Sequence, residues 1–80
     1  MDYKYIMVRD VTEEGEFFGI ALVVIHRKKL YAIERYGKLT MDKKEMASLV
    51  KDCNEYDLDP IHLKDIVEDF LYVPPDKPAE

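Results

Sequence analysis

The chain has 80 residues, of which 48% are hydrophobic and 36% are charged, and its formal net charge is -5. This size predicts one small domain, close to the limit at which a single core outweighs chain entropy. The longest apolar run, residues 17–25, is too short to cross a bilayer as a helix, which takes about 20 residues.

The targeting signals and the cysteine usage point to one compartment. No basic segment followed by an apolar stretch opens the chain, so we expect no signal peptide. The single cysteine, Cys53, cannot form an internal disulfide, and its helical spacing predicts a core thiol. We therefore expect a cytoplasmic protein.

The charge is unevenly distributed along the chain. Residues 1–38 carry 7 Lys and Arg against 6 Asp and Glu, whereas residues 39–80 carry 5 against 11. The acidic second half would repel a phosphate backbone, which argues against general nucleic-acid binding.

Three segments of the first half predict strands. Residues 3–11, 16–26 and 30–36 are rich in aromatic and β-branched residues. Short polar segments separate them, residues 12–15 and 27–29. Short links between consecutive strands predict an antiparallel meander with the second strand in the centre.

The middle strand is apolar on both sides, because alternate side chains of a strand point to opposite faces. The even-numbered side carries the bulkier residues, which we expect to face the helices: Phe18, Ile20, Leu22 and Val24. The odd-numbered side is flatter and consists of Phe17, Gly19, Ala21, Val23 and Ile25.

A first helix is predicted after Gly37, where the strand pattern stops. One apolar stripe has the spacing of a helix face: Met46, Leu49, Val50 and Cys53. Either Thr40 or Asp42 can cap its start, and Glu45 would complete a capping box with Asp42. Asn54 is the expected stop.

A second helix has the clearest local signals of the chain. Asp59 is a good N-cap, Pro60 suits the first helical position, and Leu58 with Leu63 can form a hydrophobic staple. The apolar stripe is Leu63, Ile66, Val67, Phe70 and Leu71. Residues 74–75, both proline, should stop it.

The predicted fold is α+β: a three-stranded antiparallel β-meander followed by two α-helices packed on one face of the sheet. Residues 1–73 form the single domain, and residues 74–80 form a flexible Pro-rich tail. Two helices, each about 10 Å across, cover one face of three strands about 4.8 Å apart and leave nothing substantial for the other.

The leftover face is the first candidate site. We expect its odd-numbered residues to mediate homodimerisation or partner binding, because exposed apolar patches of a few hundred Å² usually have a function. The unpaired side of an outer strand is a second route to association. In the alternative, long side chains fold over this face and close it: Tyr5, Arg9, Tyr31 and Arg35. A C-terminal tail laid across the face would close it equally well.

Three sets of residues resemble chemical sites, and each has a simpler explanation. His62, Asp65 and Asp69 share a flank of the second helix, but no second ligand cluster completes a metal site, and a solvated acidic face explains them. Cys53 has no base beside it. The basic segment 27–29 next to Tyr31 makes only a weak nucleic-acid footprint. We therefore predict no catalytic residues, no metal and no cofactor.

Two stretches resemble a family of short bacterial proteins of unknown function. They are the Phe18-Gly19-Ile20-Ala21 strand, and Cys53-Asn54 followed by the helix from Leu58 to Leu71, which reads Pro-Ile-His-Leu and ends Glu-Asp-Phe-Leu. The resemblance implies no activity, cofactor or substrate. It does single out five polar residues: Asn54, His62, Asp65, Glu68 and Asp69. Helix ending, capping and solvation are their alternative roles.

The sequence thus predicts an uncharacterised, non-catalytic protein–protein interaction or regulatory module, acting as a homodimer or with a protein partner. The alternative is nucleic-acid binding through the basic hairpin tip. A metal-dependent enzyme using His62 and its acidic neighbours is a third possibility and would require bound metal.

Overall fold

The computed structural model of the protein describes residues 2–72. In chain order these form strands β1 (Asp2–Thr12), β2 (Gly15–His26) and β3 (Lys29–Thr40), helix α1 (Lys43–Glu55), a 3₁₀ turn (Pro60–His62) and helix α2 (Leu63–Leu71). The strands pair antiparallel in the order β1-β2-β3. The predicted meander followed by two helices is confirmed. The predicted tail, residues 74–80, lies outside the described residues.

The core lies between the even-numbered side of β2 and the two helices. Phe18, Ile20 and Leu22 are at most 4% exposed and share one cluster with four buried helix residues, Met46, Cys53, Leu63 and Val67. Burying each large apolar side chain stabilises the folded state by about 1.5–3 kcal/mol, and this energy decides which side of the sheet faces the helices. The prediction that this side faces the helices is therefore confirmed, although Val24 is only half-buried.

The start of α1 uses both of its candidate caps. The Asp42 carboxylate accepts a hydrogen bond from the Glu45 backbone N–H at 3.1 Å, which makes Asp42 the N-cap. The Thr40 hydroxyl oxygen in turn accepts from the Asp42 N–H at 3.0 Å. The Asp42 N–H therefore finds its acceptor in Thr40 rather than in the Glu45 side chain, so the predicted capping box does not form.

The end of α1 is not at Asn54, so that prediction is wrong. The helix runs to Glu55, and Asp57 then adopts a left-handed conformation with φ of 53°. The Leu58 N–H donates to the Cys53 carbonyl at 2.9 Å, and the Asp57 N–H donates to the Asn54 carbonyl at 3.2 Å. These two bonds are the Schellman pattern, which satisfies the last carbonyls of a helix.

The second helical segment begins as the sequence predicts, but in two stages. The Asp59 carboxylate accepts from the Ile61 N–H at 3.1 Å, and Pro60 occupies the first position. The turn that they start is 3₁₀, and α-helical geometry begins only at Leu63. The helix ends at Leu71, before the proline pair.

Strand β3 does not stop at Gly37, which corrects a second prediction. Ile20 pairs with Tyr36 whereas Phe18 pairs with Thr40, so three residues of β3 lie opposite Gly19. A Cβ at Gly19 would overlap the Tyr36 carbonyl oxygen and lie 2.8 Å from the Gly37 Cα. The missing side chain of Gly19 lets the irregular β3 backbone approach, and the strand continues to Thr40.

Candidate interaction site

Both helices place their buried residues on one side of the sheet, so within residues 2–72 the opposite side carries no helix. We call this opposite side the open face. It contains the five residues predicted as an interface, Phe17, Gly19, Ala21, Val23 and Ile25, because they alternate with the core residues of β2.

The centre of the open face is already closed within one chain. Ala21 is 2% exposed and Val23 is 3% exposed, while Phe17 and Ile25 are half-buried. Ala21 pairs with Ile6 on one side and Arg35 on the other, and these longer side chains shield it. The small residues of β2 therefore offer little surface to a partner.

Three of the four side chains proposed to close this face lie elsewhere. Tyr5 is 2% exposed within the core, Arg9 pairs with Phe18, and Tyr31 pairs with Val24. These registers place all three on the helix side, so that interpretation is wrong for them. Arg35 does lie on the open face, where its guanidinium donates to the Asp10 carboxylate at 3.1 Å.

Asn54 joins α1 to the outer edge of β1. Its side-chain amide donates to the Tyr5 carbonyl at 2.8 Å, and its amide oxygen accepts from the Tyr5 N–H at 2.8 Å. The side chain thus replaces a neighbouring strand at this point and blocks strand addition there. This structural role was not visible in the sequence, because its partner is 49 residues away.

Tyr5 connects the same edge to the loop between the helices. Its hydroxyl donates to the Leu58 carbonyl at 2.7 Å. Burial raises the pKa of Tyr5 to about 12, because the phenolate would lose its hydration. The ring and the hydroxyl are therefore structural.

The outer edge of β3 is the exposed counterpart of the β1 edge. Leu30, Tyr31 and Ile33 are 60%, 46% and 56% exposed, and Ala32 between them is exposed as well. We call residues 30–33 the β3 edge segment. Its side chains are apolar, and among residues 2–72 a strand borders it on one side only. Such an edge is a template for pairing with another chain.

The hairpin tip before this segment is strained and basic. Arg27 and Lys28 have φ of 53° and 67°, so the two-residue turn is of type I′. Asn-Gly is the preferred sequence for this turn, because glycine and asparagine adopt positive φ more readily than arginine or lysine. The tip is exposed, as the sequence indicates.

The remaining polar candidates do not converge. His62, Asp65, Glu68 and Asp69 are all exposed, and none makes a side-chain hydrogen bond to another residue of the described range. Within that range, no three His, Cys, Asp or Glu side chains are grouped to hold a metal.

Cys53 is a buried free thiol, as predicted, and burial raises its pKa. A raised pKa disfavours the thiolate, which is the reactive form. A shallow concavity of about 320 Å³ lies above it between the helices, lined by Leu49, Leu58, Ile66 and three other residues. Its lining is mainly apolar, and the one carboxylate in it, that of Asp52, also raises the pKa of the thiol.

No described helix is long and apolar enough to cross a membrane.

Comparison with known proteins gives one match, to a protein family. Neither the curated proteins nor the solved structures contain a significant match. The model of DUF6514, a family of unknown function, matches residues 1–73, and the chain therefore belongs to this family.

Proposed function

We propose that the protein is a non-catalytic protein–protein interaction module that forms a homodimer through its sheet. The observation that carries this proposal is the β3 edge segment, in which three large apolar side chains stand in water within four residues. Isolated exposed apolar residues are ordinary, but a contiguous apolar run on the unpaired edge of an outer strand is typical of an interface.

The exposed area sets the expected strength of the dimer. Fully burying a large apolar side chain contributes about 1.5–3 kcal/mol, and Leu30, Tyr31 and Ile33 have about half of that still to gain. Two copies together would gain roughly 5–9 kcal/mol, which is of the same order as the cost of association. Backbone hydrogen bonds across the joined strand edges add to this gain, so we expect a reversible dimer with micromolar rather than nanomolar affinity.

The setting of the protein is part of the same proposal. A buried free thiol such as Cys53 suits a reducing compartment, which supports action in the cytoplasm. The sequence resemblance to short bacterial proteins supports a bacterial origin.

The test compares two exposed apolar edge residues. Leu30 on β3 is 60% exposed, and Val11 on β1 is 65% exposed at the other end of the sheet. Light scattering at rising concentration should show a dimer for the wild type and for Val11→Lys, and a monomer for Leu30→Lys. A monomeric wild type at high micromolar concentration would refute the proposal.

A further inference from the structure

We infer that the β3 edge segment pairs antiparallel with the same segment of a second copy, with Tyr31 opposite Tyr31. Two three-stranded sheets would then form one continuous six-stranded sheet. This inference rests on the proposed function and names the occupant of that edge and its register.

The two outer edges of the sheet are not equivalent. Asn54 occupies both backbone groups of Tyr5 on β1, each at 2.8 Å. No side chain of the described residues does the same for the β3 edge segment, whose four residues are all exposed. Strand addition is therefore favoured at β3.

The hairpin turn determines which backbone groups of β3 point outward. A two-residue turn closes on a hydrogen-bonded pair, here His26 and Lys29. Along an antiparallel strand, the backbone N–H and C=O groups of successive residues point alternately to one neighbouring strand and to the other. The groups of Tyr31 therefore bond to β2, whereas those of Leu30 and Ala32 point outward. Antiparallel pairing centred on Tyr31 places Leu30 of each copy opposite Ala32 of the other, so all of these groups find partners.

A bulge in β3 brings the charged residues Lys29 and Glu34 to the same side of the sheet, which bears on the same pairing centred on Tyr31. Ala32 pairs with Val23 and Glu34 with Leu22, so Ile33 is an extra residue. This shift places Glu34 on the helix side of the sheet, the side on which Lys29 lies through its pairing with His26.

With Tyr31 at the two-fold axis, Lys29 of each copy would lie opposite the bulged pair Ile33–Glu34 of the other copy, with Glu34 on the same side of the sheet as Lys29. Directly opposed charges of opposite sign stabilise strand pairing, and like charges destabilise it. Centring the pairing on Leu30 or on Ala32 instead separates Lys29 from Glu34. The charges therefore select the same register as the backbone and favour a second copy as occupant.

The first experiment removes an outward N–H. Proline is tolerated on an edge strand where the N–H faces solvent, so Ala32→Pro should leave the β2–β3 pairing intact and block strand addition. Val11→Pro is the matched control, because Val11 lies on the outward register of β1 that it shares with Tyr5. Sedimentation equilibrium should show a monomer for Ala32→Pro and a dimer for Val11→Pro.

The second experiment reverses the charges and does not depend on the proline variant folding. Lys29→Glu and Glu34→Lys should each weaken the dimer about tenfold or more, since each places two like-charge pairs across the interface. The double variant Lys29→Glu/Glu34→Lys should recover most of that loss. A merely local effect of either substitution would not be rescued by the other.

The outcomes separate the two proposals. A monomeric wild type overturns both the proposed function and this inference. A dimeric wild type overturns only the β3 pairing if a folded Ala32→Pro variant stays dimeric, or if the double charge variant is no tighter than the single variants. Loss of the dimer in Ala32→Pro or in either single charge variant, with rescue in the double variant, supports the pairing.

Discussion

Replacing Asn54 by alanine tests how the helical layer is attached to the sheet. The substitution removes both hydrogen bonds between the Asn54 amide and the Tyr5 backbone. These bonds connect residues 49 positions apart, so they stabilise only the folded chain. The free energy of unfolding should therefore fall.

The size of the effect follows from two opposing contributions. Each neutral hydrogen bond contributes a net 0.5–1.5 kcal/mol, which gives roughly 1–3 kcal/mol for the pair. The Tyr5 groups lie at a sheet edge that water can reach after truncation, so no full desolvation penalty is added. Alanine has a higher helix propensity than asparagine, which offsets about 0.5 kcal/mol of the lost stability. We expect a net loss of roughly 0.5–2.5 kcal/mol.

Urea unfolding followed by circular dichroism measures this loss as a shift of the midpoint at constant slope. Asp52→Ala is the matched control. Asp52 is exposed in the same helix, and aspartate has a helix propensity close to that of asparagine. The control should be neutral or slightly stabilising. If Asn54→Ala and Asp52→Ala have the same stability, the reasoning about the β1 edge is refuted.

Three further predictions concern the backbone and pH. Gly19→Ala should lower the free energy of unfolding by about 2 kcal/mol or more, because its Cβ would meet the β3 backbone. Gly37→Ala should lower it by less than about 1 kcal/mol, because its Cβ would meet only the movable ends of two side chains. Urea unfolding of the two variants measures both losses of stability, and equal losses would contradict this explanation. Arg27→Asn combined with Lys28→Gly should raise the thermal midpoint by relieving positive φ, by about 1 kcal/mol or more in stability, and no gain would mean that the turn is unstrained. The pKa of Tyr5 is about 12 when folded and about 10 when unfolded, so the unfolded chain loses its proton first and stability should fall by up to about 2 kcal/mol between pH 10 and 12. Tyr5→Phe should remove the part of this loss of stability that comes from ionisation of Tyr5. If the variant and the wild type lose stability equally at alkaline pH, Tyr5 is not its source.

Features that depend on neighbouring residues were predictable from the sequence. The alternation of β2 identified the side that carries Phe18, Ile20 and Leu22 in the core. Asp59 and Pro60 marked the start of the second helical segment, because capping depends on residues two or three positions apart. The element order followed from the short links between strands.

Features that depend on distant contacts were not predictable. The partner of Asn54 lies in another element, so the sequence showed only a residue near a helix end. Gly37 looked like a strand breaker because its compensation, the missing side chain of Gly19, lies on the adjacent strand. Both outer strands looked equally open, since α1 blocks one of them through a side chain that local patterns do not locate.

The most direct test of the account is the molar mass of the unmodified protein in solution. One chain has a mass of 9.4 kDa. Light scattering at increasing concentration should show the mass rising toward twice that value, because the β3 edge segment is buried only when two copies meet. A mass that stays at 9.4 kDa up to high micromolar concentration would contradict sheet-mediated dimerisation.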